Sequence, residues 1–299
     1  MNRINELPLG FSIGHDNDEH TGVTVIVCQE GAIGGVDVRG GAPGTHETDC
    51  LRSEKMMQSV NAVALCGGSA YGMGAIAGVM ECLREKGIGF SIDNKVVPIV
   101  CGAVIYDLND KDYHYPTAQS GHKAAASAKN DDMRQGKIGV GAGATVGKIL
   151  GMSGACPSGL GIASVKVGNA LVTAVVCVNA LGDVVDPQTN TIVAGAKLDG
   201  KFIGTERFIL NNASTEPKIG TNTTIGCILT DAKINKVQAN KIASVAHNGL
   251  ARTISPVHTD FDGDTLFCLA SCKNETDFLA LEIGATKAVE QAVLNAVKV

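Results

Sequence analysis

The feature that most constrains the fold of this 299-residue chain is an apolar run that follows a pair of threonines. Residues 225–229 (Ile-Gly-Cys-Ile-Leu) have the length and the composition of a buried strand. A hydroxyl group at the mouth of such a strand stands on a rigid scaffold, which suits a nucleophile. Threonine becomes a good nucleophile as the first residue of a chain, since its own α-amine then serves as the base. We therefore predict that the chain cuts itself between Asn222 and Thr223, and that Thr223 then attacks amides.

Two other interpretations apply to the same stretch. An Asn-Thr-Thr triplet is also typical of an ordinary turn that leads into a strand. The triplet Asn222–Thr224 fits a glycosylation acceptor as well. That modification needs a secretory route, and Met1–Leu7 has no apolar core of signal length.

The composition limits the classes of function. Apolar residues make up 44% and charged residues 18%, so a substantial core is expected. The formal net charge is -5 and no basic tract occurs, which argues against nucleic acid as a partner. No stretch of about 20 apolar residues exists, so we expect no membrane span. Internal repeats and low-complexity linkers are absent from the sequence, which predicts one layered α/β domain over residues 1–299.

The ten cysteines predict neither a disulfide framework nor a zinc site. Several stand inside apolar runs, as Cys66 and Cys177 do, where a free cysteine behaves as a small hydrophobic residue. No Cys-x-x-Cys pair occurs, and Cys268 and Cys272 have no matching His/Cys pair nearby. We therefore expect a cytoplasmic protein without a metal or another cofactor.

Periodicity and turn residues predict most of the secondary structure. Ser69 is a candidate N-cap for the first helix, and residues 186–220 are interpreted as a surface excursion that ends in a flexible linker. The predicted elements are two strands at 22–28 and 32–38 joined by a short turn, a helix at 75–85, a strand within 98–108, a helix at 119–129, a hairpin of 161–167 and 171–179, a helix at 236–251, a strand at 265–270 and a C-terminal helix at 277–297.

Several polar residues stand where chemistry is possible. The glycine-rich region around Lys148 fails as a phosphate loop, because Ala142 stands where a glycine is needed and Ile149 replaces the serine or threonine. Asn179 ends a strand, where it is either a turn former or a donor to an oxyanion.

The two aspartates at positions 262 and 264 also need an interpretation. A calcium loop that starts at Asp260 fails, because Thr265 and Ser271 stand where glycine and glutamate are required. Asp262 and Asp264 are therefore either a polar turn or, being one residue apart on an extended segment, a pair that faces one site.

Five stretches together resemble the P1-type peptidases. This family includes the L-aminopeptidase/D-esterases, the β-peptidyl aminopeptidases and the 6-aminohexanoate-oligomer (nylon oligomer) hydrolases. The resembling stretches, spread from residue 39 to residue 259, are Arg39–Thr45, Gly67–Gly72, Asn179–Asp183, Asn222–Thr224 and Ser255–Thr259. The resemblance implies an αββα sandwich like that of the N-terminal-nucleophile hydrolases, and a chain that processes itself.

The resemblance also implies roles for individual residues. By position the new N-terminal nucleophile is Thr223, and the nylon-oligomer branch surrounds its threonine with residues that match Lys148, Asn179, Asp262 and Asp264. The aminopeptidase branch uses a serine nucleophile and a glutamate, so this chain is more similar to the nylon-oligomer hydrolases. In this scheme Asn179 donates to the oxyanion, the aspartates relay the hydroxyl proton, and the charge of Lys148 holds the amine or the nucleophile.

These implications give a complete functional expectation. Residues 1–222 and 223–299 are expected to form two chains that stay associated, within a homo-oligomer. The expected substrates are small peptides or linear amide oligomers. The alternatives are an aminopeptidase, an acyltransferase that passes the acyl group to an amine, and a catalytically silent scaffold of the same fold.

Overall fold

The run that begins at Thr223 is a strand in the computed structural model of the protein, which describes residues 6–108, 113–212 and 221–299. All ten residues of Thr223–Ala232 are buried. The strand pairs antiparallel with Ala170–Asn179 on one side and parallel with Thr265–Asn274 on the other. Its neighbours on both sides and its burial confirm the prediction of a central strand at this place.

Groups of strands are separated by α-helices along the chain. The strands are β1 Phe11–Asn17, β2 Gly22–Val38, β3 Thr45–His46, β4 Ser59–Cys66, β5 Phe90–Ile92, β6 Lys95–Val97, β7 Val100–Val104, β8 Thr145–Val146, β9 Cys156–Pro157, β10 Leu160–Val167, β11 Ala170–Asn179, β12 Asp183–Asp186, β13 Thr191–Ala194, β14 Lys197–Leu198, β15 Lys201–Phe202, β16 Thr223–Ala232, β17 Ile254–Ser255 and β18 Thr265–Asn274. The helices are α1 Ser69–Gly72, α2 Gly74–Glu85, α3 Ala118–Ala126, α4 Thr205–Asn211, α5 Lys236–Thr253 and α6 Phe278–Ala296.

The main strands form four layers with the helices, as the resemblance implied. In the described ranges the strand order is β10-β11-β16-β18-β2-β4-β7-β3, with β1 paired to β2. Alternate residues of β16 point to opposite sides: Ile225, Cys227 and Leu229 join a core between the two halves of the sheet, whereas Ile228 packs under α5 and α6. A third cluster packs α2 and α3 on the outer face of β2 and β4. The αββα sandwich is therefore confirmed.

Strand β2 corrects one prediction. Residues 22–28 and 32–38 are not a hairpin, because the chain runs through both as one strand. Gly31 has a φ of 80°, and the pairing of β2 with β4 shifts its register between Val27 and Ala32. This irregularity lets one strand pair with β1 and β4 in one layer and with β18 in the other.

Most other predicted elements are observed close to their expected bounds. The hairpin of β10 and β11, the helices α2, α3, α5 and α6, and the strands β7 and β18 are confirmed. Ser69 is not the N-cap of the helix at 74–85; it has a φ of 52° and lies in α1, which Gly68 precedes. The predicted excursion carries β13, β14, β15 and α4, and its last part, residues 213–220, lies outside the described residues.

The fold brings the ends of three strands together. Asn179, the last residue of β11, lies opposite Thr223, the first residue of β16. Asp264 directly precedes β18, and Asn222 forms an isolated parallel bridge with Asp262. Five of the predicted site residues therefore lie together at one end of the central strands.

Helix α6 provides a matched test of the layered core. Leu281 is 1% exposed and packs between α6 and the sheet, whereas Leu279, two residues earlier, is 65% exposed. We expect Leu281→Ala to lower the free energy of unfolding by about 2–5 kcal/mol, because it removes buried methyl groups and leaves a cavity. Leu279→Ala should change it by less than about 0.5 kcal/mol. Urea unfolding in a Thr223→Ala background, which keeps the chain intact, measures both values. Equal losses would contradict the packing described for α6.

Candidate active site

Thr223 lies at the mouth of β16 with its side chain directed at its own peptide bond. It is 5% exposed, and its Oγ1 donates a hydrogen bond of 2.5 Å to the carbonyl oxygen of Asn222. The nucleophile predicted from the sequence is therefore held against the bond that it is predicted to cut.

The same carbonyl oxygen has a second donor. The backbone N–H of Gly263 donates to the Asn222 oxygen at 3.0 Å. A backbone N–H in this position can stabilise the negative charge that develops on a carbonyl oxygen under attack. Gly263 was not among the predicted site residues, because a glycine between two aspartates is also typical of an ordinary turn.

The space around Gly263 explains why a glycine stands there. A Cβ added at this position would lie 2.8 Å from Thr223 Oγ1 and 2.8 Å from the carbonyl oxygen of Ala42. A real side chain would therefore displace either the hydroxyl group or the loop that contains Ala42.

Lys148 is hydrogen-bonded to the residues around the predicted cleavage point. Its Nζ donates to Asn179 O, to Asn179 Oδ1 and to Thr221 O, each at 2.8 Å. Burial lowers the pKa of Lys148 to about 7, and the nearby negative charge of Asp262 opposes that shift. A lysine with this pKa is partly neutral near pH 7 and can exchange a proton there.

Asn179 is completely buried and uses its amide group within the site. Its Oδ1 accepts from Thr145 N at 3.1 Å as well as from Lys148, and its Nδ2 donates to Tyr106 O at 2.8 Å. A longer hydrogen bond of 3.4 Å runs from Nδ2 to Thr221 O. In the uncut chain the amide thus contacts the segment before the cleavage point, and its role toward an oxyanion stays a prediction.

Asp262 and Asp264 lie side by side but hold different partners. Asp262 Oδ2 accepts from the backbone N–H and the hydroxyl of Thr259 at 2.8 and 2.6 Å. Asp264 Oδ1 accepts from the N–H of Thr224 at 2.6 Å. Burial and the charge of Asp264 raise the pKa of Asp262 to about 6. Asp264 therefore fixes the peptide that follows Thr223, and Asp262 is a carboxyl group whose pKa lies near neutral pH.

The glycine-rich loop after β2 holds these aspartates in place. The N–H of Ala42 donates to Asp262 O and the N–H of Arg39 donates to Asp264 O, both at 2.9 Å. Between them, Gly40 has no room for a side chain, since an added Cβ would lie 2.1 Å from Asp262 O. The contact gives a structural reason for the Arg-Gly-Gly-Ala sequence.

Asp107 is a buried carboxyl group near the site that the sequence analysis missed. It is 3% exposed, its Oδ1 accepts from the N–H of Gly68 at 2.6 Å, and burial raises its pKa to about 6. It follows Tyr106, whose carbonyl oxygen accepts from Asn179. In the sequence, a single aspartate after a strand does not indicate that the residue lies near an active site.

Two classes of feature do not occur within the described ranges. Residues 6–108, 113–212 and 221–299 contain no group of three or more His, Cys, Asp or Glu residues placed to hold a metal ion. Over the same residues, no helix combines the length and the apolar character that crossing a membrane requires.

Comparison with known proteins identifies the family. The sequence model described as peptidase family S58 matches residues 4–299. The chain belongs to this peptidase family. Its resemblance to the P1-type peptidases is thereby confirmed, and the protein is a hydrolase that acts on amide bonds.

Two relatives differ in the activity that their names state. An uncharacterized aminopeptidase from Mycobacterium tuberculosis is 41% identical over 291 residues, which cover 91% of this chain and 82% of the relative. A 6-aminohexanoate-oligomer endohydrolase from Paenarthrobacter ureafaciens is 34% identical over 275 residues, which cover 88% of this chain and 73% of that protein.

Solved structures agree on the fold. An L-aminopeptidase/D-Ala-esterase/amidase from Ochrobactrum anthropi, described as a variant of the Ntn hydrolase fold, gives a TM-score of 0.71 at 17% identity and covers 98% of this chain and 85% of its own. A β-aminopeptidase from Burkholderia gives a TM-score of 0.66 at 20% identity, over 98% of this chain and 86% of its own.

The close approach at Gly263 can be tested with two glycine substitutions. Gly263→Ala should slow self-cleavage at least tenfold, equivalent to about 1.4 kcal/mol in the barrier, because the added methyl group competes for the space of Thr223 Oγ1. Gly74→Ala is the control, since a Cβ there meets nothing within 4 Å. The rate is followed by electrophoresis after cell-free synthesis. A Gly263→Ala protein that is processed at the wild-type rate would contradict the geometry.

Proposed function

We propose that this protein is a self-processing amidohydrolase whose nucleophile is the N-terminal threonine created by a cut between Asn222 and Thr223. The observation that carries the proposal is the pair of hydrogen bonds at the Asn222 carbonyl. Thr223 Oγ1 approaches this group at 2.5 Å, and the Gly263 N–H supports its oxygen at 3.0 Å. The nucleophile and a charge-stabilising donor thus meet at one carbonyl, as acyl transfer requires.

Self-cleavage follows from this geometry in two steps. Thr223 Oγ attacks the carbonyl carbon of Asn222, the C–N bond breaks, and the hydroxyl proton passes to the departing nitrogen. The product is an ester between Asn222 and the Thr223 side chain, together with a free α-amine. Water then hydrolyses the ester and leaves a carboxyl group on Asn222 and a hydroxyl group on Thr223.

Turnover repeats the same chemistry on an external amide. The free α-amine of Thr223, with an ordinary pKa of about 7.7–8.0, is partly neutral near pH 7 and accepts the hydroxyl proton. In our proposal Asn179 and Lys148 bind the acyl side of the substrate, and Asp262 is the carboxyl group that relays a proton. Asp264 keeps the peptide after the nucleophile in position through the N–H of Thr224.

The segment before the cut suggests how a substrate binds. The carbonyl oxygen of Thr221 accepts from Lys148 Nζ at 2.8 Å and from Asn179 Nδ2 at 3.4 Å. Both nitrogens are hydrogen-bond donors, and a protonated lysine side chain has no acceptor for an ammonium group. Once residues 221–222 move away, the same donors suit a neutral carbonyl group upstream of the bond to be cut.

This pattern favours internal amides over N-terminal residues. A substrate ammonium near Lys148 would meet a like charge whenever the lysine is protonated, whereas an internal amide brings a carbonyl acceptor. We therefore propose cleavage of small peptides or flexible aliphatic amide oligomers, like the relative named as an endohydrolase. The second candidate is an aminopeptidase, which the 41% identical relatives favour by name.

The two products are proposed to stay together. Residues 223–299 supply β16, β18, α5 and α6, while β2 and β11 come from residues 1–222. Strand β16 pairs with β11 of the large piece, and β18 pairs with its β2. Separation would expose the core between the two halves of the sheet, and it would leave strand edges open to water.

The processing step is tested by two threonine substitutions. Thr223→Ala should abolish self-cleavage and amide hydrolysis together, because it removes the attacking hydroxyl group. Thr224→Ala, the adjacent control, should still give chains of 222 and 77 residues, since its side chain is not the nucleophile. Intact mass and N-terminal sequencing identify the products. An uncut wild-type chain that hydrolyses amides would overturn the mechanism, and a new N-terminus at residue 224 would move the nucleophile by one position.

The two candidate specificities are separated by acetylating the amine of a 6-aminohexanoate oligomer. We expect the acetylated oligomer to be cleaved at least as fast as the free oligomer, because acetylation removes the charge that opposes Lys148. Product release is quantified by chromatography, with the Thr223→Ala protein as the blank. Loss of all activity on acetylation would show that a free amine is required and would favour the aminopeptidase.

A further inference from the structure

A histidine lies directly behind Asp264. One oxygen of this carboxyl group, Oδ1, accepts from the N–H of Thr224 at 2.6 Å. The other, Oδ2, accepts from the backbone N–H of His258 at 3.1 Å and lies 2.8 Å from Nδ1 of the same histidine. His258 thus contacts the group that fixes the peptide next to the nucleophile.

The hydrogen bonds determine which ring nitrogen of His258 carries a proton. Both oxygens of Asp264 accept from backbone N–H groups. A carboxylate only accepts, so Nδ1 of His258 carries the hydrogen. The other ring nitrogen, Nε2, is buried and has no hydrogen-bond partner within the described residues.

A second histidine from α5 faces this ring. His247 is completely buried, and its ring centroid lies 4.7 Å from that of His258 in an edge-to-face arrangement. His247 Nε2 lies 3.1 Å from the carbonyl oxygen of Asp37, which can only accept, so Nε2 carries the hydrogen. Burial lowers the pKa of His247 to about 4, so its Nδ1 is an unprotonated acceptor near neutral pH.

Each of the two rings also has one buried nitrogen without a hydrogen-bond partner among the residues that the structure describes. These atoms are His247 Nδ1 and His258 Nε2. Within the described residues, Asp264 is therefore the one hydrogen-bond partner of the His258 ring.

We propose that His258 is a positioning residue of this active site, which orients Asp264 toward the Thr224 N–H. The inference rests on the proposed self-processing function. His258 contacts neither Thr223 nor the Asn222 carbonyl in the hydrogen bonds described above, so its effect on the reaction passes through Asp264 and Asp262.

The position of His258 beside the two aspartates has a consequence for pH dependence. Among the described residues, the charged or titratable groups that act on His247 or on Asp262 include Asp264, His258, Asp37 and Arg39, and Lys148 interacts with Asp262. Burial and the charge of Asp264 raise the pKa of Asp262 to about 6, and His258 opposes this rise. Asp262 is ionised above its pKa. Replacing His258 should raise that pKa further, so a reaction that needs ionised Asp262 should lose rate at a higher pH.

Three variants test the proposal on the first-order rate of self-cleavage across about pH 5 to 8, the range over which histidine titrates. His258→Ala should slow the reaction at least tenfold at every pH, because Asp264 loses its Nδ1 partner. His258→Asn keeps a side-chain N–H donor close to the position of Nδ1. It should restore most of the self-cleavage rate at high pH. Toward acid pH, the rate of this variant should begin to fall at a higher pH than that of the wild type, which shifts the acid limb of its pH profile. His122→Asn is the matched control, since His122 forms a half-exposed 3.0 Å pair with Glu85.

The outcomes separate this inference from the proposed function. Wild-type rates and an unshifted acid limb in both His258 variants, with normal self-cleavage of the wild type, would overturn only the role of His258. A wild-type chain that never cuts before Thr223 would overturn both proposals. If His258→Ala fails to fold, the unfolding temperature of its Thr223→Ala double variant reveals it, and His258→Asn then decides. A slow His258→Asn protein with an unshifted acid limb would mean a purely structural histidine and would also contradict the proposal.

Discussion

The site depends on the contact between the Gly263 N–H and the carbonyl of Asn222. It joins the residue before β16 to the turn before β18, where these two parallel strands begin side by side. Only a residue without a side chain fits, because the Thr223 hydroxyl and the Ala42 carbonyl already occupy the space. The aspartates on either side of Gly263 are held by separate partners, so the turn cannot shift without breaking several hydrogen bonds.

Burial gives the ionisable groups of the site their chemical character. Taking a lysine out of water disfavours its charged form, and taking a carboxyl group out of water does the same, so the two pKa values move toward each other. Lys148 at about 7 and Asp262 at about 6 can both exchange protons near neutral pH, which ordinary lysine and aspartate side chains do poorly. Groups with pKa values shifted in this way are typical of functional sites.

Local sequence patterns were sufficient to predict most of the regular strands and helices. The strand at β16, the hairpin of β10 and β11, and the helices α5 and α6 were predicted because each has its own periodicity or turn residues. The long strand β2 was not, since Gly31 is typical of a hairpin turn and equally of an irregular strand. Whether the chain turns there depends on the neighbouring strands, which pair with the two halves of β2 in different layers.

The candidate site could be predicted only in part from the sequence, for the same reason. Thr223 was proposed from its own strand, but Lys148, Asn179 and the aspartates were assigned through the family resemblance. The hydrogen bond from Gly263, the buried carboxyl of Asp107 and the facing rings of His247 and His258 join segments that are distant in sequence. No local pattern encodes such contacts, because they arise only when the layers pack.

The position of β16 also decides how the mature enzyme would denature. A cut before Thr223 would leave the sheet paired but would turn one folded chain into a complex of two chains. Its unfolding then becomes a dissociation, so the midpoint should depend on protein concentration. The released pieces must reassociate in solution to refold, and their exposed strand edges favour aggregation before they do. The lifetime of an enzyme cut in this way would thus be set by its unfolding rate rather than by an equilibrium.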